Sequence, residues 1–282
     1  MAAASAPTSP QLPVSTRPVV ELVGLTRRFG DFTAVDQVSF AVAHGEAFGL
    51  IGANGAGKST IIRILTTLLP PSAGTVLVAG FDVVRQPGEV RRRIGYVPQL
   101  LSADGALTAW ENLLLSARLY GIPPREVRAR IDQALAAMEL TAFAHRLVQG
   151  FSGGMIRRLE VAQSMLHRPA VLFMDEPTVG LDPVARRAVL DHVAELRRRL
   201  GTTLVVTSHY MEEIDVLCDR LAVLNQGRLV ALGTPAELKA TVGPGATLDD
   251  VFAALSGSAA NTEATEGYSD VRQSRRAASS HA

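Results

Sequence analysis

The residues best suited to chemistry lie together in one glycine-rich stretch, GANGAGKST at residues 52–60. It matches the phosphate-binding pattern G-x-x-x-x-G-K-[ST] at every specified position. Its glycines allow backbone N–H groups to point at phosphate oxygens, and Lys58 adds a full positive charge. In this arrangement the lysine reaches the β- and γ-phosphates, Ser59 ligates magnesium and Thr60 hydrogen-bonds the α-phosphate. We expect nucleotide contacts from Gly52, Asn54, Gly55, Gly57, Lys58, Ser59 and Thr60.

The elements around this stretch have the order that the pattern requires, strand then loop then helix. The apolar run 47–51 predicts a buried strand, and apolar residues recur at helical spacing from Ile61 to Leu68. A glycine-rich turn that binds nothing is the alternative, but such a turn gives no reason for Gly-Lys-Ser at the start of an apolar helix. The sequence therefore predicts a nucleotide-phosphate site.

Two further apolar runs end in polar side chains. The run 171–174 is followed by Asp175 and Glu176, and the run 203–207 stops at Ser208 and His209. Central parallel strands are continuously apolar and carry function at their carboxyl edge. The paired acids therefore favour a functional role. A lone histidine is more often structural, and the other histidines lack metal-ligand spacing.

Two weaker signals accompany these runs. Ser152, Gly153 and Gly154 precede a stretch with helical periodicity, and glycines at a helix start leave backbone N–H groups free to hold an anion. Phe29 is predicted to lie in a turn between strands at 19–23 and 34–42. Its ring either plugs the core or offers a face on which adenine stacks.

Length and composition set the broad class. A chain of 282 residues with net charge +1 suits one large domain with tails, and small polar residues predict disorder at 1–17 and 257–282. The balance of 28 basic and 27 acidic residues gives no field that would attract nucleic acid, so no nucleic-acid partner is expected. The single cysteine, Cys218, excludes an internal disulfide.

The sequence also bears on location. No signal peptide is recognisable before residue 17, and we expect the protein to remain inside the cell. The longest uncharged run, 64–81, is too short to span a bilayer and is interrupted by Pro70 and Pro71. Any work at a membrane would need another chain that spans it.

Six motifs, taken in order and spacing, resemble those of the nucleotide-binding subunit of ABC transporters. They are the 52–60 loop, Gln99, FSGGM at 151–155, MDEP at 174–177, GLDP at 180–183 and His209. The resemblance covers about residues 19–242. Within the family, YMEE at 210–213 and LDDVF at 248–252 look most like drug-exporter ATPases of the daunorubicin-resistance kind.

This resemblance implies an α/β fold with a P-loop NTPase core, a mainly parallel central sheet, an N-terminal antiparallel β subdomain and an inserted helical subdomain. Helical periodicity between about 107 and 140 agrees with such an insertion. The expected organisation is a disordered tail at 1–17 and an ABC-type nucleotide-binding domain at 18–245, with the helical subdomain at about 100–168. A short C-terminal extension and a disordered tail then fill 246–282.

The resemblance also assigns roles at the nucleotide. Magnesium would be held by Ser59 and Asp175, and Gln99 would approach the metal and report the nucleotide state to a membrane subunit. Glu176 would polarise the attacking water, and His209 would contact the γ-phosphate. The implied activity is hydrolysis of ATP, with ATP and Mg²⁺ as the bound groups.

A second copy of the chain, or a similar ATPase subunit, is implied as a head-to-tail partner. Ser152, Gly153 and Gly154 would bind the γ-phosphate of nucleotide held by that partner, and Asp182 would lie near the facing active site. Two-fold symmetry closes such a pair with two equivalent sites. The family pattern begins with Leu and ends with Gln where this chain has Phe151 and Met155, but the Ser-Gly-Gly centre is intact.

The predicted function is therefore an ATPase that powers an ABC transporter, with export of a drug-like or other small hydrophobic compound through a separate integral membrane permease. The subunit would sit at the cytoplasmic face of the cell membrane, held there through that permease. Phe29 replaces the usual tyrosine and keeps the ring face that adenine stacking needs. The alternatives are a soluble ABC-type ATPase of DNA maintenance or translation, and a scaffold that binds ATP without hydrolysing it.

Overall fold

The computed structural model describes residues 17–256, so the predictions for 1–16 and 257–282 lie outside the described residues. Within that range the chain alternates strands and helices. The strands are β1 Val20–Phe29, β2 Phe32–Val42, β3 Ala47–Gly52, β4 Ala73–Val78, β5 Phe81–Asp82, β6 Ile94–Val97, β7 Val171–Asp175, β8 Thr203–Ser208, β9 Arg220–Asn225 and β10 Arg228–Gly233. The helices are α1 Lys58–Leu65, α2 Pro87–Arg91, α3 Ala109–Leu119, α4 Pro124–Ala137, α5 Gly153–Met165, α6 Pro183–Leu200, α7 Met211–Leu217, α8 Pro235–Ala240 and α9 Leu248–Ser256.

The first strands form an antiparallel sheet in the order β2-β1-β4-β5. Strand β1 is longer than the sequence indicates, because it continues through register shifts to a Phe29–Phe32 pair across from β2. The prediction that Phe29 lies in a turn is therefore wrong by a short margin. The turn itself contains Gly30 in a left-handed conformation (φ +56°), which places Phe29 at the end of a strand.

The second sheet has six strands in the order β10-β9-β3-β8-β7-β6. Strands β9, β3, β8, β7 and β6 run parallel, and only the edge strand β10 is antiparallel to its neighbour. All residues of β3, β7 and β8 are buried, as their continuous apolar runs predict. The predicted α/β fold with an antiparallel β subdomain is confirmed.

Alternate residues of the central strands face two different hydrophobic layers. Phe48 and Phe173 point to the layer that contains α1 and the antiparallel sheet. Ile51 and Met174 point to the opposite layer, which contains the helices from α3 onward. Because side chains alternate along a strand, each central strand stabilises both layers at once.

The stretch between β6 and β7 is helical and contains α3, α4 and α5, inside the range expected for an inserted subdomain. Two predicted bounds need correction. The strand expected at 93–99 ends at Val97, before Pro98, a residue with no N–H to donate to a ladder. The helix after the loop ends at Leu65, because Thr67 adopts a left-handed conformation (φ +63°), and Leu68 is exposed.

The region after residue 245 begins with a packed helix. Leu248 and Val251 of α9 are buried in the same hydrophobic layer as α5 and β8. The domain boundary placed there stays a prediction. Among residues 17–256, no helix combines the length and apolar character needed to cross a membrane.

Candidate functional site: a phosphate loop facing two strand ends

The 52–60 loop is shaped by glycines that no other residue could replace without strain. Gly57 caps α1 with φ +101°, and a Cβ there would lie 2.7 Å from the carbonyl oxygen of Ala34. A Cβ on Gly52 would lie 2.6 Å from the carbonyl oxygen of Leu224. No side chain caps the start of α1, so the N–H groups of its first turn are available to an anion.

Lys58 lies at the start of α1 with only 4% of its surface exposed. Its Nζ donates to the carbonyl oxygens of Gly52 (2.8 Å) and Ala53 (3.1 Å) and lies 3.7 Å from Oε1 of Glu176. Burial lowers the pKa of Lys58, and the carboxylates of Glu176 and Asp175 act against that shift. The ammonium is therefore held inside the loop with little solvent around it, where a phosphate would attract it strongly.

Ser59 and Asp175 meet across the gap between α1 and β7. Ser59 Oγ donates to Asp175 Oδ1 at 3.1 Å, and Thr207 Oγ1 donates to the same oxygen at 2.7 Å. A hydroxyl beside a carboxylate suits Mg²⁺, which usually takes one or two protein oxygens and completes its shell with phosphate and water. Among residues 17–256, no group of three or more His, Cys, Asp or Glu side chains could hold a metal by itself. The pair thus fits a metal that arrives with a nucleotide.

Glu176 is the meeting point of the predicted catalytic residues. It follows β7 in a left-handed conformation (φ +46°), and its N–H donates to Thr207 Oγ1 at 2.8 Å. Its Oε2 accepts from Gln99 Nε2 at 3.0 Å and lies 3.6 Å from His209 Nδ1, while Oε1 faces Lys58. The carboxylate of Glu176 is therefore contacted by Gln99 and Lys58, which lie 77 and 118 positions earlier in the sequence.

A buried acid that sequence reasoning missed ties the surrounding loops together. Glu213 accepts hydrogen bonds from Thr178 Oγ1 (2.8 Å) and Ser208 Oγ (3.0 Å) and pairs with Arg186 at 3.3 Å. These partners lie next to the segments of Glu176, His209 and Asp182. The sequence shows Glu213 only as one of two adjacent acids in YMEE, and no local feature distinguishes it from its exposed neighbour Glu212.

Ser152 and Asp182 occupy a second place, at two helix starts. Ser152 caps α5 by accepting from the N–H of Met155 (3.3 Å), and Asp182 caps α6 by accepting from the N–H of Ala185 (2.9 Å). A Cβ on Gly154 would lie 2.8 Å from Cβ of Ala185, so the two helix starts are in contact. Within residues 17–256, neither cap has a hydrogen bond or ion pair to the 52–60 loop. The structure therefore groups the predicted residues into two sets.

The remaining predicted residues take simple positions. Phe29 is 46% exposed, so its ring is not a core plug, and Arg27 lies over one face with its guanidinium carbon 4.5 Å from the ring centroid. Thr60 is half-buried in the first turn of α1, and Gly55 has φ +80° with open space around it. Asn54 is exposed at the loop tip. Gly153 starts α5 beside Leu181.

Comparison with known proteins identifies relatives of this arrangement. A family model described as ABC transporter matches residues 35–179. A daunorubicin resistance ATP-binding protein of Streptomyces coeruleorubidus is 46% identical over 220 residues, which cover 78% of this chain and 69% of that protein. A linearmycin resistance ATP-binding protein of Bacillus subtilis is 38% identical over 225 residues, covering 80% of this chain and 72% of that protein.

Solved structures give the same result. The structure of an ATP-binding subunit of an ABC transporter superposes with a TM-score of 0.77 at 30% identity, covering 85% of this chain and all of that one. An ATP-binding cassette of an ABC transporter in its ADP conformation gives a TM-score of 0.70 at 26% identity, over 79% of this chain and 93% of the other.

Proposed function

The chain belongs to the ABC transporter family and is an ATP-binding, ATP-hydrolysing subunit of that family. From this premise we propose that it powers export of a drug-like or other small hydrophobic compound through a separate membrane permease. ATP-binding subunits of exporters generally dimerise and work with such a permease. The names of two relatives, which refer to resistance to daunorubicin and linearmycin, support the substrate class. The observation that carries the ATPase role is the convergence of three side chains, those of Gln99, Lys58 and His209, on Glu176.

Binding of ATP would begin at the 52–60 loop. We infer that Lys58 exchanges its bonds to the loop carbonyls for the β- and γ-phosphates, while the N–H groups of Ser59 and Thr60 point at phosphate oxygens. The adenine would stack on the face of Phe29 that Arg27 leaves open. Bound Mg²⁺ would supply charge neutralisation between the phosphates, and Ser59 and Asp175 would hold it, with Gln99 close by.

Cleavage would depend on Glu176. Its carboxylate is held on one side by Gln99 and on the other by Lys58, at the carboxyl end of β7. A carboxylate in that position can accept a proton from a water aimed at the γ-phosphate. His209, 3.6 Å from the same carboxylate, is placed to donate to a γ-phosphate oxygen as charge moves outward.

The second set of residues would complete the site of another copy. Ser152, Gly153 and Gly154 present a helix start whose N–H groups suit a γ-phosphate, and within residues 17–256 they have no hydrogen bond or ion pair to the 52–60 loop of their own chain. We propose a head-to-tail pair in which each nucleotide lies between one 52–60 loop and the partner's α5. Asp182, adjacent to α5 through the Ala185 contact, would then lie at the centre of the pair.

The permease is expected to bind near Gln99. Leu100 is 81% exposed and Leu101 47% exposed, beside the Gln99 side chain that contacts Glu176. We propose that residues 99–110, including the half-buried Leu107 and Trp110, form part of the docking surface. The subunit would then lie at the cytoplasmic face of the membrane, held there by the permease. Cysteine crosslinking across 100–110 should trap the permease, and failure at every position would count against this surface.

A soluble ATPase of DNA maintenance or translation is not favoured. Within residues 17–256 the chain has one cassette, with the four short helices α2 to α5 between α1 and β7 and no long coiled coil. The relatives reported above carry resistance in their names, whereas nothing in the charge balance points to nucleic acid.

Drug accumulation in cells tests the export proposal. Daunorubicin is fluorescent, so cells that lack this chain should retain more of it, and restoring the wild-type chain should lower the signal. Lys58→Ala at the same expression level should not restore export, whereas Arg63→Ala, a lost cation on the exposed face of the same helix, should. Equal retention with and without the chain, for daunorubicin and for linearmycin, would reject this substrate class.

A further inference from the structure

A buried ion pair on α5 takes no part in the mechanism above. Arg157 and Glu160 are 1% and 3% exposed, and Nη1 of Arg157 lies 2.9 Å from Oε2 of Glu160. Burial of two charges costs free energy, and a buried ion pair is often no more stabilising than a well-packed apolar pair. The other groups that these two side chains bind therefore indicate why the pair is there.

All of those groups belong to one short segment, residues 98–103. Arg157 donates to the carbonyl oxygens of Pro98 (2.6 Å) and Gln99 (2.7 Å). Glu160 Oε1 accepts from the N–H of Ser102, from Ser102 Oγ at 3.1 Å and from the N–H of Ala103 at 3.3 Å. The cation thus fixes one end of the segment and the anion fixes the other.

Between these two anchors the segment carries two functional features. Leu100 and Leu101 project into solvent, and the Gln99 side chain reaches Glu176 at 3.0 Å. Arg157 lies only five positions beyond Ser152, which caps the same helix. A helix of this length is stiff, so a displacement of its start is transmitted to both anchors.

We propose that Arg157 and Glu160 are positioning residues that make the 98–103 segment and the first half of α5 one mechanical unit. A phosphate that draws Ser152 and Gly154 toward a second copy then carries Gln99 with it. A partner that presses on Leu100 and Leu101 moves the start of α5 in return. This inference rests on the proposed sharing of nucleotide between two copies, and it adds the physical link between that contact and the exposed leucines.

The test replaces the pair with apolar side chains of similar length, Arg157→Met with Glu160→Met. Because both charges are removed together, neither is left buried alone and the fold should persist. The matched control is Arg130→Met with Glu126→Met, a pair on α4 (2.7 Å) in which Arg130 donates to the carbonyl oxygen of Leu166 and which, within residues 17–256, has no hydrogen bond or ion pair to 98–103. Thermal unfolding of each purified full-length variant establishes that it is folded.

The first readout separates binding from turnover. The Arg157/Glu160 variant should keep the ATP affinity and KM of the wild type, because neither residue contacts the 52–60 loop. Its kcat should fall by about 10- to 100-fold, because small misplacements of positioning groups cost this much. The control pair should keep both constants. Glu160→Asp keeps the charge but shortens its reach to Ser102. Its kcat should lie between the kcat of the Arg157/Glu160 variant and that of the control pair.

The second readout follows the segment directly with a nitroxide attached through Leu100→Cys. Cys218 is buried and its thiol pKa is raised by burial, so the label reacts at position 100. In a Glu176→Gln background, Mg-ATP should change the mobility of the label in the parent and in the Arg130/Glu126 control. The change should be reduced about fivefold or more once Arg157 and Glu160 are replaced, since the coupling between sites is then lost.

Several results would overturn the inference. A folded Arg157/Glu160 variant with unchanged kcat and an unchanged label response would contradict it, and so would a loss of ATP affinity, which would place the pair in the nucleotide site. If the double variant does not fold, Glu160→Asp, which keeps both charges, gives the same two readouts, and a wild-type result there would also contradict the inference. All assays use the purified chain, so a failed export assay leaves this test intact.

Discussion

The predicted site residues lie in two regions, which differ in whether those residues contact one another. At the carboxyl ends of β3, β7 and β8, charged side chains are already in contact with one another, and Lys58, Glu176, Gln99 and His209 form one cluster. At the starts of α5 and α6, Ser152 and Asp182 cap their own helices and, in the part of the chain that the structure describes, form no hydrogen bond or ion pair with the 52–60 loop.

The difference indicates which of the two regions forms a complete site within one copy of the chain. The first region brings together the groups that we propose bind and cleave a triphosphate, with Lys58 and Glu176 buried and Gln99 and His209 exposed. The second region contains two helix starts, those of α5 and α6, and the partial positive charge of a helix start binds an anion weakly unless other groups help. We therefore interpret the second region as half of a site whose other half belongs to another copy.

Lys58→Ala should remove useful ATP binding. The triphosphate would lose its central cation in a site with little solvent, and a charge-assisted contact of this kind corresponds to about 100-fold in affinity. Titration with Mg-ATP measures the effect, with Arg63→Ala on the exposed face of α1 as the control. Near-normal affinity of Lys58→Ala would remove the 52–60 loop from the nucleotide site.

Glu176→Gln should keep ATP binding and slow hydrolysis by about 10² to 10⁴, the usual contribution of a general base. Intact ATP would then accumulate between two copies, so light scattering should detect a dimer at saturating Mg-ATP. Wild-type protein should dimerise only transiently. An unchanged rate of phosphate release would exclude Glu176 as the base, and slow release without dimers would contradict the shared site.

Glu213→Gln should lower kcat by about 10-fold or more at constant KM, because the loops that carry Glu176 and His209 lose a common anchor. The substitution keeps the size of the side chain but weakens its bonds to Thr178, Ser208 and Arg186. Glu212→Gln, the exposed neighbour, is the control and should behave as wild type. If both variants hydrolyse ATP equally well, Glu213 is not a positioning residue.

Phe29→Ala should have the smallest effect, a loss of about 2- to 10-fold in ATP affinity, because one aromatic contact contributes about 0.5–1.5 kcal/mol. Phe29→Tyr keeps the ring face and should bind ATP like the wild type. Both variants can be compared with Mg-GTP as well as Mg-ATP. Equal affinity of the alanine and tyrosine variants would show that adenine does not stack there.

Much of the first region could be predicted from the sequence because its signals are local. The run Val171–Asp175 is typical of a buried strand, and that assignment places the acids at its end on the carboxyl edge of the sheet. The GKS triplet identifies the loop in the same way. The predicted turn at Phe29 is wrong because β1 extends to Phe29. The strand contains shifts of register against β2, which interrupt the alternation of apolar and polar residues by which a strand is recognised.

The contacts between distant segments could not be predicted. Arg157 and Glu160 read as polar residues of an amphipathic helix, and only the fold places them against residues 98–103. Thr207 looks like an ordinary strand residue, yet it donates to Asp175 across the sheet at 2.7 Å. Such roles depend on which strands become neighbours, and the sequence pattern does not specify strand order.

Subunit mixing tests the shared site most directly. Lys58→Ala keeps a normal α5, whereas Ser152→Asp keeps the helix cap but places a negative charge where the γ-phosphate would lie. Each variant alone should be inactive, because every site in its dimer contains one defect. An equal mixture should regain about a quarter of wild-type hydrolysis, since half of the dimers pair the two variants and each of those contains one intact site. A mixture no more active than either variant alone would contradict the account.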